Sequence, residues 1–489
     1  MLKVEEIKSF IDNDMMSKKK QLAKTGLRYY EGDHDIKNYR VFYVDSEGEL
    51  QEDKTKSNIK ITHPFFTENV DQTVQYMLSG KDAFVKSDVP ELQTELDAYF
   101  NENEDFLAEL YEVLTGAVSK GFDYMYAYKN AEDRTAFQWA DSIGVVEVEA
   151  RFASDKKDHV LYWYVDRIDK DGKKIVKIQD WDDTQAFFYQ RTGEGKIEKD
   201  ENALINPKPH TIYKKDGDES TYYESFGFVP FFRLDNCKKQ FSGLKPIKEL
   251  IDDYDLMSCG LSNNIQDTNE ALYVVKGFEG DNLDELHMNI KAKKHIGVSE
   301  DGDVEIRTID IPYQARQTKL ELDEKNIYRF GMAFNSAQLG DGNITNIVIK
   351  SRYALLDLKC NKLEIRLKQF MRKLLKIVLA EINELNKTDY QQKDVYFNFE
   401  REVMTNASDN AQIELTDAQR KQVEINTLLN LAAHIDNETM MQLICEQLDI
   451  DYDDIKDKLP EPEANEPYQA QTALDAVVPE DVPGGGIVE

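Results

Sequence analysis

Cysteine is scarce in this chain and is never clustered. The 489 residues include four cysteines, which stand far apart, at Cys237, Cys259, Cys360 and Cys445. A disulfide framework and a structural zinc site both need cysteines at short, paired spacings. The sequence therefore predicts neither, and it fits a chain that folds in a reducing cytoplasm.

Long apolar stretches are also missing. The best run, residues 374–380, is far shorter than the roughly 20 residues of a membrane-spanning helix, and it is interrupted by Lys376. The first ten residues, MLKVEEIKSF, are charged and lack the apolar segment of a secretory signal. We therefore expect no membrane span and no export.

Positive charge is in short supply. The chain has 93 Asp and Glu against 61 Lys and Arg, which gives a formal net charge of -32 at pH 7. A protein that coats nucleic acid needs a broad basic surface that neutralises phosphates. This composition excludes such a surface, so any contact with DNA has to be local.

The motifs of common catalytic and ligand sites are missing as well. Residues 340–343 read Gly-Asp-Gly-Asn, but no Lys-Ser or Lys-Thr pair follows, and the Gly-Lys pair at 80–81 is followed by Asp82. The acidic stretches at 169–172 and 300–303 lack the spacing of a calcium loop and predict hairpin turns instead. The seven histidines form no pair at metal-ligand spacing, and no nucleophilic serine or Cys/His arrangement is evident. The sequence thus predicts a protein that is not an enzyme and needs no cofactor or metal.

What is present is the composition of a folded protein. Hydrophobic residues make up 41% of the chain and aromatic residues 10%, as in ordinary globular domains. A chain of 489 residues predicts about two to four packed regions. The final segment, residues 460–489, holds five prolines and seven acids but no Lys or Arg, which predicts a disordered acidic tail.

Helical and strand-like periods occur in separate blocks, which predicts the α+β class. Apolar residues at helical spacing predict helices over residues 1–30, 64–80, 91–120, 246–269, 313–334, 347–385 and 416–459. Short apolar and aromatic runs between turns predict strands at 124–128, 137–139, 145–152, 160–167, 174–179 and 186–190, and a hairpin centred on 45–48. Further strands are predicted at 272–275, 295–298, 304–309 and 395–399.

The longest predicted helix carries a local excess of positive charge. Residues 350–376 hold nine basic and two acidic side chains. Arg352, Lys359, Arg366 and Lys373 recur every seven residues, so they form one stripe about 31 Å long. Such a stripe suits contact with DNA, but it equally suits a solvated face or ion pairs with acidic neighbours.

Three groups of short motifs follow one another along the chain. The first is Tyr-Tyr-Glu-Gly-Asp-His-Asp-Ile at 29–36. The second comprises Ser-Asn-Ile-Lys-Ile at 57–61, Val-Asp-Gln at 70–72, Tyr-Met-Leu at 76–78 and Gly-Lys at 80–81. The third comprises Val-Pro-Phe-Phe at 229–232, Asn236, Leu-Ile-Asp-Asp-Tyr-Asp at 250–255 and Ser258. In this order and at these separations, over about residues 25–455, they resemble the portal proteins of tailed bacteriophages, of the family typical of long-tailed phages of Gram-positive hosts.

The resemblance implies a portal fold with a helical stem, an α/β clip, a mixed wing with a β-rich subdomain, and an α-helical crown. It divides the chain into wing 1–235, first stem helix 246–270, clip 271–311, second stem helix 313–334, tunnel loop 335–346, long helix and wing strand 347–404, crown 405–459 and acidic tail 460–489. It also implies a ring of typically twelve copies at one capsid vertex of the virion, assembled in the host cytoplasm, through which double-stranded DNA is packaged and ejected.

Candidate functional residues follow from the same resemblance. In the tunnel loop they are Asn335, Gln338, Leu339, Asp341, Asn343, Thr345 and Asn346. Lys350 and Arg352, which are nearest to the loop, are candidate DNA-facing bases, and the remaining bases of the long helix are expected to pair with acidic neighbours in the wing. Lys291, Lys293 and Lys294 are candidate clip contacts with terminase and then with the head-completion adaptor, although they equally suit a solvated charge run. Major capsid and scaffolding proteins are further implied partners.

Two other functions stay open at this point. A head-neck structural protein without a DNA channel would keep the helices but would not need a loop before a basic helix. A packaging-associated nuclease or ATPase would need metal or nucleotide motifs that the sequence lacks.

Overall fold

The computed structural model describes residues 2–54, 56–130, 132–150, 153–214, 221–268, 272–278, 282–289, 296–307, 312–335, 346–402, 407–430 and 437–447. The chain divides into two compact units, Met1–Met404 and Thr405–Glu489. Within the described ranges, helices and antiparallel strands occur in separate blocks. The predicted α+β class is therefore confirmed.

Helices of the first unit differ from the prediction mainly at their ends. They are α1 (Val4–Met16), α2 (Lys18–Tyr30), α3 (Phe65–Met77), α4 (Pro90–Leu96), α5 (Glu104–Lys120), α6 (Lys248–Thr268), α7 (Leu283–Met288), α8 (Tyr313–Gly331) and α9 (Asn346–Asn386). The single helices predicted over 1–30 and 91–120 are wrong. Ser17 has extended backbone and its hydroxyl caps α2, and a π-helical turn at Asp97–Asn101 followed by the Asn103 cap separates α4 from α5.

Strands of the first unit form sheets that are antiparallel throughout the described residues. They are β1 (Phe42–Val44), β2 (Leu50–Glu52), β3 (Val85–Lys86), β4 (Phe122–Lys129), β5 (Thr135–Ala140), β6 (Val145–Ala150), β7 (Ala153–Ile168), β8 (Lys174–Trp181), β9 (Gln185–Thr192), β10 (Glu198–Lys199), β11 (Lys208–Pro209), β12 (Thr211–Lys214), β13 (Thr221–Glu224), β14 (Phe231–Asp235), β15 (Leu272–Phe278), β16 (Val298–Arg307) and β17 (Tyr396–Phe397). One sheet has the order β10-β9-β8-β7-β6 with β11 beside β9, another has the order β14-β4-β5, and the remaining strands form pairs. The β-rich region and the hairpin predicted at 45–48 are confirmed.

The strand predicted at 304–309 is confirmed over residues 304–307, but the turn predicted at 300–303 is wrong, since residues 298–303 belong to the same strand. One strand, β16, occupies this region and pairs with β15. Gly277 has a φ of 64°, and the register is irregular there. A Cβ atom on Gly302 would lie 2.8 Å from the carbonyl oxygen of Lys276. Gly302 therefore allows β15 and β16 to approach each other closely and does not form a turn.

The second unit contains α10 (Ala407–Asn430) and α11 (Asn437–Gln447). The predicted start of this helical region at residue 416 is wrong, since α10 begins at Ala407. Cys445 of α11 is buried. The tail predicted at 460–489 lies outside the described residues.

The core of the first unit forms around α9, which has nearly the predicted bounds. Its buried face packs against α3, β14 and β5. The side chains of that face are Leu356, Cys360, Leu363, Leu367, Phe370, Met371, Leu374, Leu375 and Val378. Each large apolar side chain contributes roughly 1.5–3 kcal/mol through burial. Together they set the rotation of the helix, so that Lys362, Ile365 and Gln369 face outward.

An extended segment, residues 57–63, is held along α6 by side chains of that helix. The backbone N–H groups of Ser57, Ile59, Ile61 and His63 donate, in order, to Asp267 Oδ1 at 3.1 Å, Asn263 Oδ1 at 2.6 Å, Cys259 Sγ at 3.2 Å and Asp255 Oδ1 at 3.0 Å. The acceptors recur every four residues, about 6 Å along a helix, and the donors every two residues, about 6.6 Å along an extended chain. Because the two repeats match, four backbone donors find acceptors without a second strand. We call this arrangement the α6 ladder.

Asp255 is the fully buried acceptor of the α6 ladder. Its Oδ2 accepts a hydrogen bond from His34 Nδ1 at 2.6 Å, and its Oδ1 accepts one from His63 Nδ1 at 2.7 Å. The ring of Tyr29 stacks on His34 with 4.6 Å between centroids. Burial alone raises the pKa of Asp255, but the hydrogen bonds from the two imidazoles outweigh it and leave the pKa below its usual range.

Replacing Asp255→Asn is expected to lower the free energy of unfolding by roughly 2–4 kcal/mol at pH 7, because an amide cannot accept from all three donors. The folded-state pKa lies below the unfolded value of about 3.9. The stabilisation is therefore complete at neutral pH and is lost as the pH falls through the folded-state pKa. Urea titrations of both chains at pH 7 and pH 3 measure this difference.

The matched control for this change is Asp171→Asn, at an exposed turn between β7 and β8. It should leave the free energy of unfolding within about 0.5 kcal/mol of the parent value. A loss of stability in Asp255→Asn that is equally large at both pH values would contradict the assigned role of the carboxylate.

Candidate nucleic-acid interface

The predicted site residues fall only partly within the described structure. Asn335 and Asn346, the two ends of the predicted loop, are described, as are Lys350 and Arg352 of α9. The other predicted residues lie outside the described ranges: Gln338, Leu339, Asp341, Asn343, Thr345, Lys291, Lys293 and Lys294. The segments on either side of the loop define where its two ends lie.

Gln72 of α3 holds the chain where it leaves α8. Its Nε2 donates to the carbonyl oxygen of Phe334 at 2.8 Å, and its Oε1 accepts from the N–H of Phe334 at 2.9 Å. One amide thus satisfies both backbone groups of a buried residue. Asn335 Nδ2 then donates to Glu324 Oε1 at 2.9 Å. The start of the predicted loop is therefore fixed on α3 and α8.

Helix α9 joins the same contact through Lys359. The buried side chain of Asn69, in α3, donates from Nδ2 to the carbonyl oxygen of Gly331 at 3.0 Å. Lys359 Nζ donates to Asn69 Oδ1 and to the Gly331 oxygen, the latter at 3.2 Å. A Cβ atom on Gly331 would lie 2.2 Å from Asn69 Nδ2, so a larger residue here would displace the Asn69 amide. We call Asn69, Gln72 and Lys359, with the backbone of residues 331–334, the α3 clamp.

Aromatic rings brace the first turns of α9 against the α3 clamp. The ring of Tyr353 stacks on Phe334 with 4.9 Å between centroids and contacts the ring of Tyr76 at 5.4 Å. Lys350, on the preceding turn, is exposed, and Arg352 is half-buried. Both candidate bases therefore lie on a turn of α9 that is fixed beside the end of α8.

The predicted basic stripe does not form one exposed face. The ammonium group of Lys359 is buried in the α3 clamp, and this burial lowers its pKa to about 8. The physical reason is that a seven-residue repeat drifts by about 20° per heptad on a straight helix. The stripe therefore starts at the edge of the core and is exposed only near its end, where Lys373 faces solvent.

Ion pairs on α9 meet the expectation only in part. Lys368 pairs with Glu364 at 2.7 Å, as expected of a base with an acidic neighbour. Asp357 and Glu364, however, both bind Arg401, which lies 2.7 Å from Asp357 Oδ1. Three exposed bases form no ion pair with any residue that the structure describes: Lys362, Arg372 and Lys376. For these three, the expected pairing with acidic neighbours is not found among the described residues and stays a prediction.

Helices α6 and α8 pack against each other and are joined by charge. Lys319 Nζ of α8 lies 2.5 Å from Asp253 Oδ2 of α6 and also contacts Asp323, which is buried. Helix α6 has five acidic residues and one basic residue. The pair therefore presents an acidic helix beside the mixed-charge helix that leads to the α3 clamp.

Two side chains of the α3 clamp, Asn69 and Gln72, were not predicted as site residues, and Lys359 was noticed only as a member of the basic stripe. Gln72 belongs to the Val-Asp-Gln motif at 70–72, and Asn69 directly precedes it. The available signal was a pair of amide side chains on the face of a helix whose other residues are apolar. Their partners are backbone groups some 260 residues away, which no local pattern indicates.

Two kinds of site are not found in the part of the chain that the structure describes. No group of three or more His, Cys, Asp or Glu side chains there is arranged to hold a metal ion. No helix there is both long and apolar enough to cross a membrane.

Comparison with known proteins connects these features to one family. The family model described as phage portal protein, SPP1 Gp6-like, matches residues 10–451. The chain is similar to the portal protein of Bacillus phage SPP1, with 28% identity over 392 residues that cover 78% of this chain and 75% of that protein. It is also similar to the portal protein of Clostridium phage phiCD119, with 30% identity over 198 residues, or 40% of this chain and 43% of that protein. The resemblance to portal proteins from phages of Gram-positive hosts is confirmed, and the chain belongs to the SPP1 Gp6-like family of phage portal proteins.

Proposed function

We propose that this chain assembles into a ring of about twelve copies at one capsid vertex, and that double-stranded DNA is packaged and ejected through its centre. Family membership supports the proposal. The order of elements supports it too: helix α6, the paired strands β15 and β16 with α7 between them, helix α8 against α6, the loop, and then α9.

In this proposal each segment has a place in the ring. Residues 246–270 and 313–334 form the stem, 271–311 the clip, 335–346 the tunnel loop and 405–459 the crown. Residues 1–235 and 347–404 form the wing. Terminase docks on the clip during packaging and the head-completion adaptor docks there afterwards, with Lys291, Lys293 and Lys294 as contacts. Capsid and scaffolding proteins surround the ring.

The α3 clamp is the observation that carries the proposal. A loop that touches moving DNA experiences force, so its ends need firm attachment to the body of the subunit. Gln72 binds both backbone groups of Phe334, and Lys359 ties α9 to the end of α8. The clamp thus holds the end of α8 against the fourth turn of α9. The contact of Tyr353 with Phe334 fixes the turn that carries Lys350 and Arg352 beside it.

The charge balance suits a conduit through which DNA must slide. An acidic wall repels phosphates and so prevents tight binding, while a few bases near the loop keep the duplex centred. Helix α6 supplies four acids outside the core, Glu249, Asp252, Asp253 and Asp267, against one base, while its fifth acid, Asp255, is buried. Ring symmetry multiplies each of these charges by the number of copies.

The two other functions lack a supporting observation. A nuclease would need a cluster of metal ligands, and the described residues hold none. A head-neck protein without a channel would have no use for a clamp that fixes both sides of a loop beside exposed bases.

The purified chain is expected to form rings. Size-exclusion chromatography with light scattering should give a mass about twelve times the 56.6 kDa of one chain, and end-on electron micrographs should show a central hole. A monomer at every salt concentration, with no rings in the images, would refute the proposed function.

Changing Gln72→Ala is expected to lower the free energy of unfolding by about 1–3 kcal/mol, since two backbone groups of the buried Phe334 lose their partner. It should also reduce the yield of packaged DNA severalfold while rings still form. Denaturant titration and a nuclease-protection assay of packaged DNA measure the two effects.

The control is Gln75→Ala, an exposed position on the same helix. It should change stability by no more than about 0.5 kcal/mol and leave packaging intact. Normal packaging by destabilised Gln72→Ala rings would show that the clamp serves folding alone.

The double change Lys350→Glu, Arg352→Glu is expected to leave ring formation intact and to reduce packaging about tenfold, because two basic rings beside the loop become acidic. The same reversal at two exposed lysines, Lys170 on the turn between β7 and β8 and Lys174 at the start of β8, should have no effect. The test compares the packaging yields of the two variants in a reconstituted system. Equal packaging yields from the two variants would show that Lys350 and Arg352 do not face the channel.

A further inference from the structure

The hairpin β1–β2 carries an apolar face that the chain itself leaves uncovered. Phe42, Val44 and Leu50 lie on one side of the hairpin, since Val44 pairs with Leu50 and Phe42 is two residues away. Their exposed fractions are 50%, 65% and 65%. Every residue of both strands is exposed in the isolated chain.

A two-stranded hairpin of three residues per strand has little stability on its own in water. Local contacts shape its turn: Asp45 accepts from the N–H groups of Glu47 and Glu49, and Arg40 bonds Glu52 at 2.8 Å. These contacts set the register but cover no apolar surface. The hairpin is thus shaped in advance to pack against something outside its own subunit.

The outward face of α9 has the complementary character. Leu355, Leu358 and Ile365 are 42%, 48% and 60% exposed, one helical turn or two apart. The same face carries the exposed bases Lys362 and Arg372, which form no ion pair with any described residue. It is an apolar strip edged with positive charge.

We propose that, in the ring, hairpin β1–β2 of one subunit packs on the outward face of α9 of a second copy of this chain. The proposal rests on the proposed ring. Residues 41–53 contain five acids and no base, while the exposed side chains of α9 from Lys362 to Lys376 include bases but no acid. The apolar face of the hairpin covers the apolar strip, and Glu47 and Glu49 at its tip meet Lys362 and Arg372.

A second copy fits better than a different protein because both halves of the contact occur on the same chain. In a ring each subunit then offers its hairpin to one neighbour and its α9 to the other. Such a head-to-tail contact produces a closed ring only when a whole number of copies completes one full turn. No surface of either kind is left uncovered in a closed ring.

The first test detects contact between different chains. Glu49→Cys and Lys362→Cys variants are prepared separately, mixed under assembly conditions and treated with a flexible thiol cross-linker. A covalent dimer is expected only in the mixture. The pair Glu194→Cys and Lys362→Cys, with the first cysteine on another exposed turn, should give none. Rings without any cross-link in the first mixture would overturn the proposal.

The second test exchanges the charges. Glu47→Lys with Glu49→Lys, and separately Lys362→Glu with Arg372→Glu, should each raise the concentration at half assembly about tenfold at moderate salt. A chain that carries all four changes should have a concentration at half assembly within about threefold of the parent value. Asp171→Lys with Glu194→Lys is the matched control and should assemble normally. Circular dichroism verifies that each variant is folded.

The outcomes distinguish a failure of the hairpin contact from a failure of the proposed ring. Parent rings that are indifferent to both reversals would overturn this contact and leave the proposed ring standing. Hairpin variants that form normal rings but fail to enter capsids would show that the hairpin faces the shell, which also overturns it. Absence of rings from the parent chain would refute the proposed function itself.

Discussion

Backbone groups that secondary structure leaves unpaired must find partners when they are buried, and side chains of α3 and α6 supply these partners here. Gln72 and Asn69 take up the backbone of Phe334 and Gly331 at the end of α8. A buried amide or carbonyl without a partner costs about 1–3 kcal/mol. The placement of α8 and α9 in the first unit therefore depends on a few polar side chains set in apolar surroundings. The α6 ladder binds four N–H groups of residues 57–63 in the same way, although that segment stays partly exposed.

Charge is used in two different ways in this chain. Where it is buried, it is matched by specific partners, as for Asp255 between two histidines and Lys359 in the α3 clamp. Burial lowers the pKa of the Lys359 ammonium to about 8, because the charged form loses its hydration there. Where charge is exposed, as at Lys362 and Arg372 on the outer face of α9, it meets solvent.

The same helix thus carries both the core of the first unit and the surfaces to which a function is proposed. Its apolar face forms the core, its first turns hold Lys350 and Arg352 beside the loop, and its outer face meets solvent with bases and apolar side chains together. In a portal ring these surfaces would point to the core, the channel and a neighbour, respectively. A helix of 41 residues is long enough to reach all three.

The sequence by itself determined whatever depends on local periodicity and composition. The bounds of α9, the β-rich block, the end of α5 at Lys120 and the acidic balance could all be read from it, because helix and strand patterns repeat within a few residues. The family was also evident, since motifs in a fixed order carry more information than any single motif.

Only the tertiary structure decided the rest. Ser17 divides the N-terminal helix because its hydroxyl caps the second half, and β16 runs straight through a turn-like stretch because β15 pairs with it. Lys359 reads as one of nine similar bases in sequence, yet it is the one held by Asn69 and Gly331, 290 and 28 residues away. Contacts between residues so far apart in the chain leave no local pattern, so they become visible only when the helices that carry them are packed together.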